Sequence, residues 1–305
     1  MGHMKILILG KNGQVGWELQ RSLQPLGEVI ALDRYEDVEH GFSGDITNFE
    51  AIEKVIQTFQ PDIVLNATAY TAVDKAESEV EQADLVNHIA VKHLAEQCKA
   101  IDALLIHYST DYVFNGQGTA AWQEDDTTEP QNAYGKTKRN GEIALEQSQV
   151  KFINLRTSWV YASRGHNFIK TMLKLAQSKD ELSIIDDQIG APTGAALIAD
   201  VTAQIVRYYA LQPQLQQKHL LGHYHLAAQG ETSWYAYANY IFDVAKAHGL
   251  ALQLKTVKPI STVDYPTPAV RPLNSRLNTQ KLQQMFALHL PQWQQGVEHM
   301  IKETL

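Results

Sequence analysis

The sequence predicts an α/β fold, with a doubly wound parallel sheet that carries helices on both faces and a smaller, mostly helical C-terminal part. Short apolar runs alternate with helical patterns through the first half of the chain. This order is typical of parallel strands joined by right-handed crossovers. Runs such as 63–65 (IVL) show no polar alternation, which indicates strands that are covered on both faces.

Five strands are predicted in the first half, at 5–9, 28–32, 63–66, 103–109 and 152–157. Helices are predicted at 13–26, where Gly27 would be the C-terminal cap, and at 134–147. Two further helices are expected from capping-box spacing, one beginning at Thr47 with Glu50 and the other at Ser78 with Glu81. The first would end before Pro61 and the second near Ala100.

The pattern changes after about Tyr161, and a domain boundary is predicted there, between 4–161 and 162–305. Helices are predicted at 168–177, 195–211 and 233–248, joined by proline-containing loops. A strand near 223–226 is expected to return to the main sheet. Residues 1–3, ahead of Met4, are interpreted as an expression remnant and left out of the fold prediction.

Composition and charge argue against nucleic-acid-binding, membrane-spanning and secreted classes of protein. The formal net charge is -8 and no Lys/Arg-rich run is present, so a nucleic-acid partner is not expected. No run approaches the roughly 20 apolar residues that span a membrane, and no secretory signal is visible. Cys98 is the single cysteine, which excludes an intramolecular disulfide and favours a reducing, cytoplasmic location.

A glycine-rich loop connects the first predicted strand to the first predicted helix. Gly10, Gly13 and Gly16 are spaced so that the backbone can approach a pyrophosphate at the helix N-terminus, as in Rossmann-type dinucleotide sites. Asp33, at the end of the second strand, favours NAD(H) by binding ribose hydroxyls, whereas Arg34 favours NADP(H) by binding a 2′-phosphate. A tight turn without a ligand is the alternative, and the cofactor choice stays open.

A tyrosine and a lysine four residues apart are candidates for acid–base chemistry. Tyr134 and Lys138 share one helix face, and an ammonium near a phenol is expected to lower its pKa toward the working range of a general acid. Ser109 and Thr110 end the neighbouring strand, where a hydroxyl could polarise a substrate carbonyl. A solvated surface pair and a backbone-capping hydroxyl are the structural alternatives.

Longer segments carry a resemblance to a known family. They are 10–19 (GKNGQVGWEL), 71–77 (TAVDKAE), 107–114 (HYSTDYVF), 156–161 (RTSWVY), 187–193 (DQIGAPT) and 266–272 (PTPAVRP). With the glycine loop and the Thr/Tyr/Lys set, these resemble the dTDP-4-dehydrorhamnose reductase family of the extended short-chain dehydrogenase/reductases. The resemblance spans about residues 5–300.

The resemblance implies reduction of the 4-keto group of dTDP-4-dehydro-β-L-rhamnose with NADPH, or NADH, in a pathway that supplies rhamnose for cell-surface polysaccharide. By similarity, Tyr134 is the proton donor, Lys138 its partner at the cofactor ribose, and Thr110 the hydroxyl that assists the transition state. Further cofactor contacts are implied at Gln14, Val15, Asp45, Ile46, Ala69, Tyr70, Thr71 and Tyr108. Substrate contacts are implied at Asp111, Tyr112, Trp159, Asn167 and Arg271.

The resemblance also bears on assembly and metal binding. A monomer or homodimer is expected, with a small dTDP-sugar as the partner. Some relatives bind Mg²⁺ through glutamates at a dimer contact, and Glu18 matches one of these positions. Ala196 stands where another glutamate is expected, which argues against the metal because Mg²⁺ needs several oxygen ligands.

Two other functions are compatible with these motifs. A nucleotide-sugar epimerase or dehydratase would share the fold and the Tyr/Lys pair but recycle its NAD⁺, and Asp111 after Thr110 does not exclude it. A non-catalytic regulatory subunit would bind NADP as a structural ligand, but it would not need Thr110, Tyr134 and Lys138 to be intact. Net consumption of reduced cofactor separates these possibilities.

Overall fold

A computed structural model describes residues 4–304, so the predicted expression remnant lies outside the described residues. The strands are β1 (Met4–Leu9), β2 (Gly27–Leu32), β3 (Ile63–Asn66), β4 (Leu104–Thr110), β5 (Lys151–Thr157), β6 (Val160–Tyr161), β7 (Glu181–Ile185), β8 (Ile189–Gly190), β9 (Thr193–Gly194), β10 (Gly222–His225), β11 (Thr232–Ser233) and β12 (Thr256–Ile260). Six of them form the main sheet, in the order β10-β5-β4-β3-β1-β2. Every neighbouring pair in this sheet is parallel, which confirms the predicted doubly wound parallel fold.

The α-helices are α1 (Gln14–Leu23), α2 (Phe49–Phe59), α3 (Val73–Ala76), α4 (Val80–Asp84), α5 (Ala90–Ala100), α6 (Ala133–Ser148), α7 (Phe168–Ala176), α8 (Ala195–Leu211), α9 (Gln214–Gln217), α10 (Trp234–Ala247), α11 (Gln280–Phe286) and α12 (Trp293–Thr304). Helices α1, α8 and α11 pack on one face of the main sheet. Helices α2, α5 and α6 pack on the other. Successive residues of β1 alternate between these two cores, which explains its uninterrupted apolar sequence.

Two predicted helix starts are wrong, for local reasons. Asn48, rather than Thr47, is the N-cap of α2, and its Oδ1 accepts a hydrogen bond from the Ala51 amide at 3.2 Å. The Thr47 hydroxyl instead donates to Asp45 Oδ1 at 2.7 Å. The helix predicted from Ser78 to Ala100 begins at Val80 and contains a π-helical turn, Leu85–Ile89, between α4 and α5. Helix α3 was not predicted. Gly27 is the C-cap predicted for the first helix, but it caps a 3-10 turn, Gln24–Leu26, that follows α1, and it also begins β2.

A separate apolar cluster stabilises the C-terminal part of the chain. It joins α7, α10 and α12 through side chains such as Met172, Phe242 and Val297. Two-stranded pairs β7–β12, β8–β11 and β6–β9 connect the loops around it. Strand β10 lies outside this cluster and pairs with β5 at the edge of the main sheet. Among residues 4–304, no helix is both long and apolar enough to cross a membrane.

Candidate active site

The carboxyl ends of β1, β2 and β3 surround a cavity of about 620 Å³. Parallel sheets bind ligands at this edge because the loops that follow the strands meet there. The predicted cofactor residues that line it are Gly10, Gly13, Asp33, Arg34, Asp45, Ile46, Ala69 and Tyr70. Asn12, Thr68, Gln82 and Val86 line it as well and were not predicted.

The glycine loop has the tight geometry that a bound pyrophosphate needs. Gly10 has φ +93°, and its amide donates to the Leu32 carbonyl at 2.8 Å. A Cβ at Gly16 would lie 2.0 Å from the Gly10 carbonyl oxygen, so only glycine lets the loop close onto α1. Gly13, the N-cap of α1, contributes no side-chain cap, so the first amides of the helix are available to an anion. These residues fit a dinucleotide.

Gln14 and Val15 form the first turn of α1 rather than the cavity lining. The side-chain oxygen of Gln14 is buried without a hydrogen-bond partner among the described residues. Val15 packs against the apolar core beneath the loop. Gln14 therefore has an acceptor free for a ligand, while Val15 supports the loop from below.

Asp33 and Arg34 lie together at the cavity edge. One Asp33 oxygen accepts from the Tyr35 amide at 2.9 Å, and the other accepts from the Asn12 side chain. Arg34 is exposed and lines the same cavity. The structure therefore brings together the two side chains that favour opposite cofactors.

Four of the predicted cofactor contacts differ in what they offer. Asp45 Oδ1 accepts from both the amide and the hydroxyl of Thr47, in a local turn, while Ile46 is buried below the cavity. Thr71 is exposed and does not line the cavity. The Tyr108 hydroxyl lies 3.0 Å from Thr202 Oγ1 in the core. The part of Tyr108 that contacts the site is therefore its backbone carbonyl, which accepts from Lys138.

The N-terminus of α6 is fixed by three hydrogen bonds, and this positions Tyr134 on its first turn. Asn132 caps the helix by accepting from the Gly135 amide at 2.8 Å, and it donates to the Val270 carbonyl at 2.8 Å. The Ala133 amide donates to Glu77 at 2.7 Å. Tyr134 is consequently held beside the end of β4 and hydrogen-bonds Thr110.

Burial raises the pKa of Tyr134, although the hydrogen bond with Thr110 opposes this effect. The sequence-based expectation of a lowered pKa is therefore wrong for this arrangement. Lys138 is not among the groups that lower the pKa of Tyr134, because its ammonium points toward β4 and donates to the Tyr108 carbonyl. A raised pKa keeps the phenol protonated at neutral pH, which is the state that a proton donor needs.

Lys138 is 1% exposed and lies between α6 and β4. Its Nζ donates to the Tyr108 carbonyl at 2.6 Å and lies 3.3 Å from His107 Nε2. Burial lowers the pKa of Lys138 to about 8, and the nearby Glu142 opposes that change. The lysine can thus exchange its proton near neutral pH.

A buried ion pair that sequence reasoning missed lies one turn beyond Lys138. Glu142 is fully buried and accepts from Arg156 Nε and Nη2, both at 2.9 Å, and from Asn154 at 3.0 Å. Arg156 is on β5 and 2% exposed. The helical spacing of Tyr134, Lys138 and Glu142 on one face was the available signal. That spacing does not predict Arg156 on β5 as the ion-pair partner of Glu142.

Asp111 and Tyr112 extend the site beyond the end of β4. Asp111 Oδ1 accepts from the Thr110 hydroxyl at 3.0 Å, while its Oδ2 is buried without a partner among the described residues. Burial raises the pKa of Asp111 to about 6, and the nearby hydroxyls of Ser275 and Thr110 oppose that change. The Tyr112 ring packs edge-on against Tyr134, with centroids 5.5 Å apart.

Trp159 is held in an unusual conformation at the end of β5. Its φ is +48°, in the left-handed region, and its ring stacks on Trp234 at 3.6 Å between centroids. A Cβ at Gly190 would lie 2.7 Å from the Trp159 ring, so a glycine is needed there. This stacking and close contact fix the orientation of the ring.

Asn167 and Arg271, two of the predicted substrate contacts, already have protein partners. Asn167 is the N-cap of α7; its oxygen accepts from the Lys170 amide and its nitrogen donates to the Ala162 carbonyl. Arg271 donates to Asp74 at 2.7 Å and to the Tyr112 hydroxyl at 3.2 Å. Arg271 thus joins the C-terminal segment to Tyr112, next to Tyr134.

Glu18 lies away from this site, in a second cavity of about 650 Å³ that Ala196 also lines. Its carboxylate is 3.5 Å from Arg21. Across residues 4–304, one group of three metal-capable side chains lies close together, the exposed Asp37, Glu39 and His40, and it does not include Glu18. The residues around Glu18 within one chain therefore do not fit a Mg²⁺ site.

Comparison with known proteins connects this geometry to a family. The family model described as RmlD substrate binding domain matches residues 4–305. The dTDP-4-dehydrorhamnose reductase of Escherichia coli (strain K12) is 50% identical over 300 residues, covering 98% of each chain. That of Burkholderia thailandensis is 42% identical over 304 residues, covering 99% of each.

A solved structure agrees with these sequence relatives. The crystal structure of a dTDP-4-dehydrorhamnose reductase from Bacillus anthracis, in complex with NADP, matches with a TM-score of 0.86 and 32% identity over 100% of both chains. Family model, sequence identity and fold agree along the whole described chain, and the chain belongs to the dTDP-4-dehydrorhamnose reductase family.

Proposed function

We propose that this chain reduces the 4-keto group of dTDP-4-dehydro-β-L-rhamnose to give dTDP-L-rhamnose. The observation that carries the proposal is the hydrogen bond between Tyr134 and Thr110 at the end of β4, with Lys138 bonded to the Tyr108 carbonyl of the same strand. The glycine-loop cavity opens at the same edge of the sheet, in a member of this reductase family. A nicotinamide cofactor held by the glycine loop and Asp33 supplies the hydride when it is bound.

The protein's own residues handle the proton. Tyr134, protonated at neutral pH, donates to the carbonyl oxygen as negative charge develops there. The Thr110 hydroxyl, which donates to Asp111 in the unliganded protein, turns to hydrogen-bond the same oxygen. The Lys138 ammonium, which donates to the Tyr108 carbonyl, stabilises the resulting phenolate through its charge. Asp111, with its unpartnered oxygen, offers an acceptor to a sugar hydroxyl, and the pair of Tyr112 and Arg271 offers cationic recognition of the diphosphate.

We infer NADPH as the cofactor, with NADH also used. The exposed Arg34 can meet a 2′-phosphate, and the Bacillus anthracis relative was crystallised with NADP. Asp33 at the same edge suits the ribose hydroxyls of NADH. The monomeric or homodimeric state and the cytoplasmic location stay predictions from the sequence.

The experiment follows the oxidation of NADPH and of NADH by the purified protein, with dTDP-4-keto-6-deoxyglucose and its 3,5-epimerase supplying the substrate. Stoichiometric oxidation, lost in Tyr134→Phe by about 10²- to 10⁴-fold in kcat while substrate binding is kept, supports the proposal. Product formation without net cofactor consumption would indicate the epimerase or dehydratase alternative. Cofactor binding without turnover of any dTDP-ketosugar would indicate the regulatory alternative.

A further inference from the structure

A buried histidine beneath Lys138 has no part in the proposed reaction. His107 is fully buried on β4, and its two ring nitrogens face two different polar groups. Nε2 lies 3.3 Å from Lys138 Nζ, and Nδ1 lies 3.2 Å from Asn66 Nδ2. Burial, followed by the charge of Lys138, lowers the pKa of His107 well below its usual value, so the ring is neutral.

The orientation of Asn66 decides which nitrogen carries the histidine proton. Asn66 Oδ1 accepts from both the amide of Thr68 at 3.1 Å and its hydroxyl at 2.6 Å. The amide nitrogen of Asn66 must therefore point at His107 Nδ1 and donate to it. A neutral imidazole that accepts at Nδ1 carries its hydrogen on Nε2.

The Nε2 hydrogen then faces Lys138. An ammonium has only donors and cannot accept from it, whereas a neutral amine can. On this side of Lys138, the Tyr108 carbonyl is the acceptor and His107 is an opposing donor. We propose that His107, with its proton placed on Nε2 by Asn66, is a positioning residue that favours the neutral amine of Lys138 and so sets the pH at which this lysine loses its charge.

Other ionisable groups limit the effect of His107 on Lys138. Glu142, on the same helix, acts on Lys138 directly, and Glu142 in turn feels the charges of Arg156 on β5 and His223 on β10. Tyr134, also on α6, interacts with Asp111 after β4 rather than with Lys138. Glu142 favours the ammonium, but its carboxylate is largely compensated by two hydrogen bonds from Arg156. His107 contacts the Lys138 nitrogen directly, and it favours the neutral amine rather than the ammonium.

The inference rests on the proposed function, in which the Lys138 charge stabilises the Tyr134 phenolate. Activity would then fall on the alkaline side as Lys138 loses its proton. Replacing the His107 donor by an acceptor would raise the pKa of Lys138 and move that limb to higher pH. His107→Gln does this with a terminal amide that can rotate its oxygen toward the ammonium. Asn66→Asp does it by accepting a hydrogen bond from Nδ1–H, so that the ring hydrogen sits on Nδ1 and the Nε2 lone pair faces Lys138.

The first test needs no substrate or cofactor. NMR of the unliganded protein with ¹⁵N-labelled histidine should show His107 neutral and protonated on Nε2 between pH 6 and pH 9, and Asn66→Asp should switch the proton to Nδ1. A ring that is charged at pH 7, or that carries its proton on Nδ1 in the unmodified protein, overturns the inference. This result is independent of whether the protein reduces the proposed sugar.

The second test measures the titration of Lys138 itself. The side-chain signal of Lys138 in ¹³C,¹⁵N-lysine-labelled protein, assigned by its loss in Lys138→Met, should titrate about one pH unit higher in His107→Gln and in Asn66→Asp. The alkaline limb of kcat should move by the same amount. His223→Gln is the matched control, because His223 contacts Glu146 and Asn154 rather than Lys138. An unchanged Lys138 titration in folded His107→Gln or Asn66→Asp, or an equal shift in His223→Gln, refutes the role.

Discussion

Glu142→Gln tests how much the buried ion pair beneath Lys138 contributes to stability. The substitution keeps the shape of the side chain but removes its charge, so Arg156 on β5 loses its counter-ion. Arg156 is 2% exposed and cannot reach water without moving the sheet or α6. A buried charge left without its partner destabilises a protein by about 3–5 kcal/mol.

The titration of Glu142 gives a second estimate of this magnitude. Burial raises the pKa of Glu142, but the hydrogen bonds and charge of Arg156 outweigh it and lower the pKa from 4.5 to about 2. A shift of that size corresponds to roughly 3 kcal/mol of folding free energy. Because the pKa is lowered on folding, this contribution is fully present above about pH 4.5 and is lost as the pH falls toward 2.

Urea denaturation at pH 7, followed by circular dichroism, measures the effect. We expect Glu142→Gln to lower the free energy of unfolding by about 3 kcal/mol. Glu146→Gln is the control, since Glu146 is on the same helix, also contacts Arg139, and is 39% exposed; we expect less than about 1 kcal/mol there. The difference between Glu142→Gln and the unmodified protein should narrow below pH 4.5. Equal effects of the two variants at pH 7 would refute the reasoning.

Three further substitutions test the site. Gly16→Ala places a Cβ against the Gly10 carbonyl, so NADPH binding measured by fluorescence titration should weaken at least about tenfold; unchanged binding would contradict the proposed loop contact. Gly190→Ala forces the Trp159 ring away. It should lower the free energy of unfolding, measured by thermal denaturation, by about 1–3 kcal/mol and change the tryptophan fluorescence. An unaltered spectrum would argue against the close contact between Gly190 and Trp159. Arg271→Met should raise KM for the dTDP-sugar by about 10- to 100-fold with kcat nearly kept, and a fall confined to kcat would remove Arg271 from substrate binding.

The sequence by itself determined the sheet and the elements that carry the site. Parallel strands buried on both faces need continuous apolar runs, and helices need a 3.6-residue period, so both leave local signals. The glycine loop, Thr110, Tyr134 and Lys138 could be placed at strand and helix ends for that reason. Helix starts were less well determined, because neighbouring polar residues such as Thr47 and Asn48 compete for the cap.

Only the tertiary structure decided the electrostatics around those residues. The pKa of Tyr134 and that of Lys138 both depend on burial, and the Lys138 nitrogen contacts His107 and Tyr108 across the interface between α6 and β4. These partners come from distant parts of the chain, and their side-chain directions follow from strand register rather than from local sequence. The sequence therefore determined which chemical groups are present, while packing determined their protonation and their partners, because desolvation and hydrogen bonding act through space.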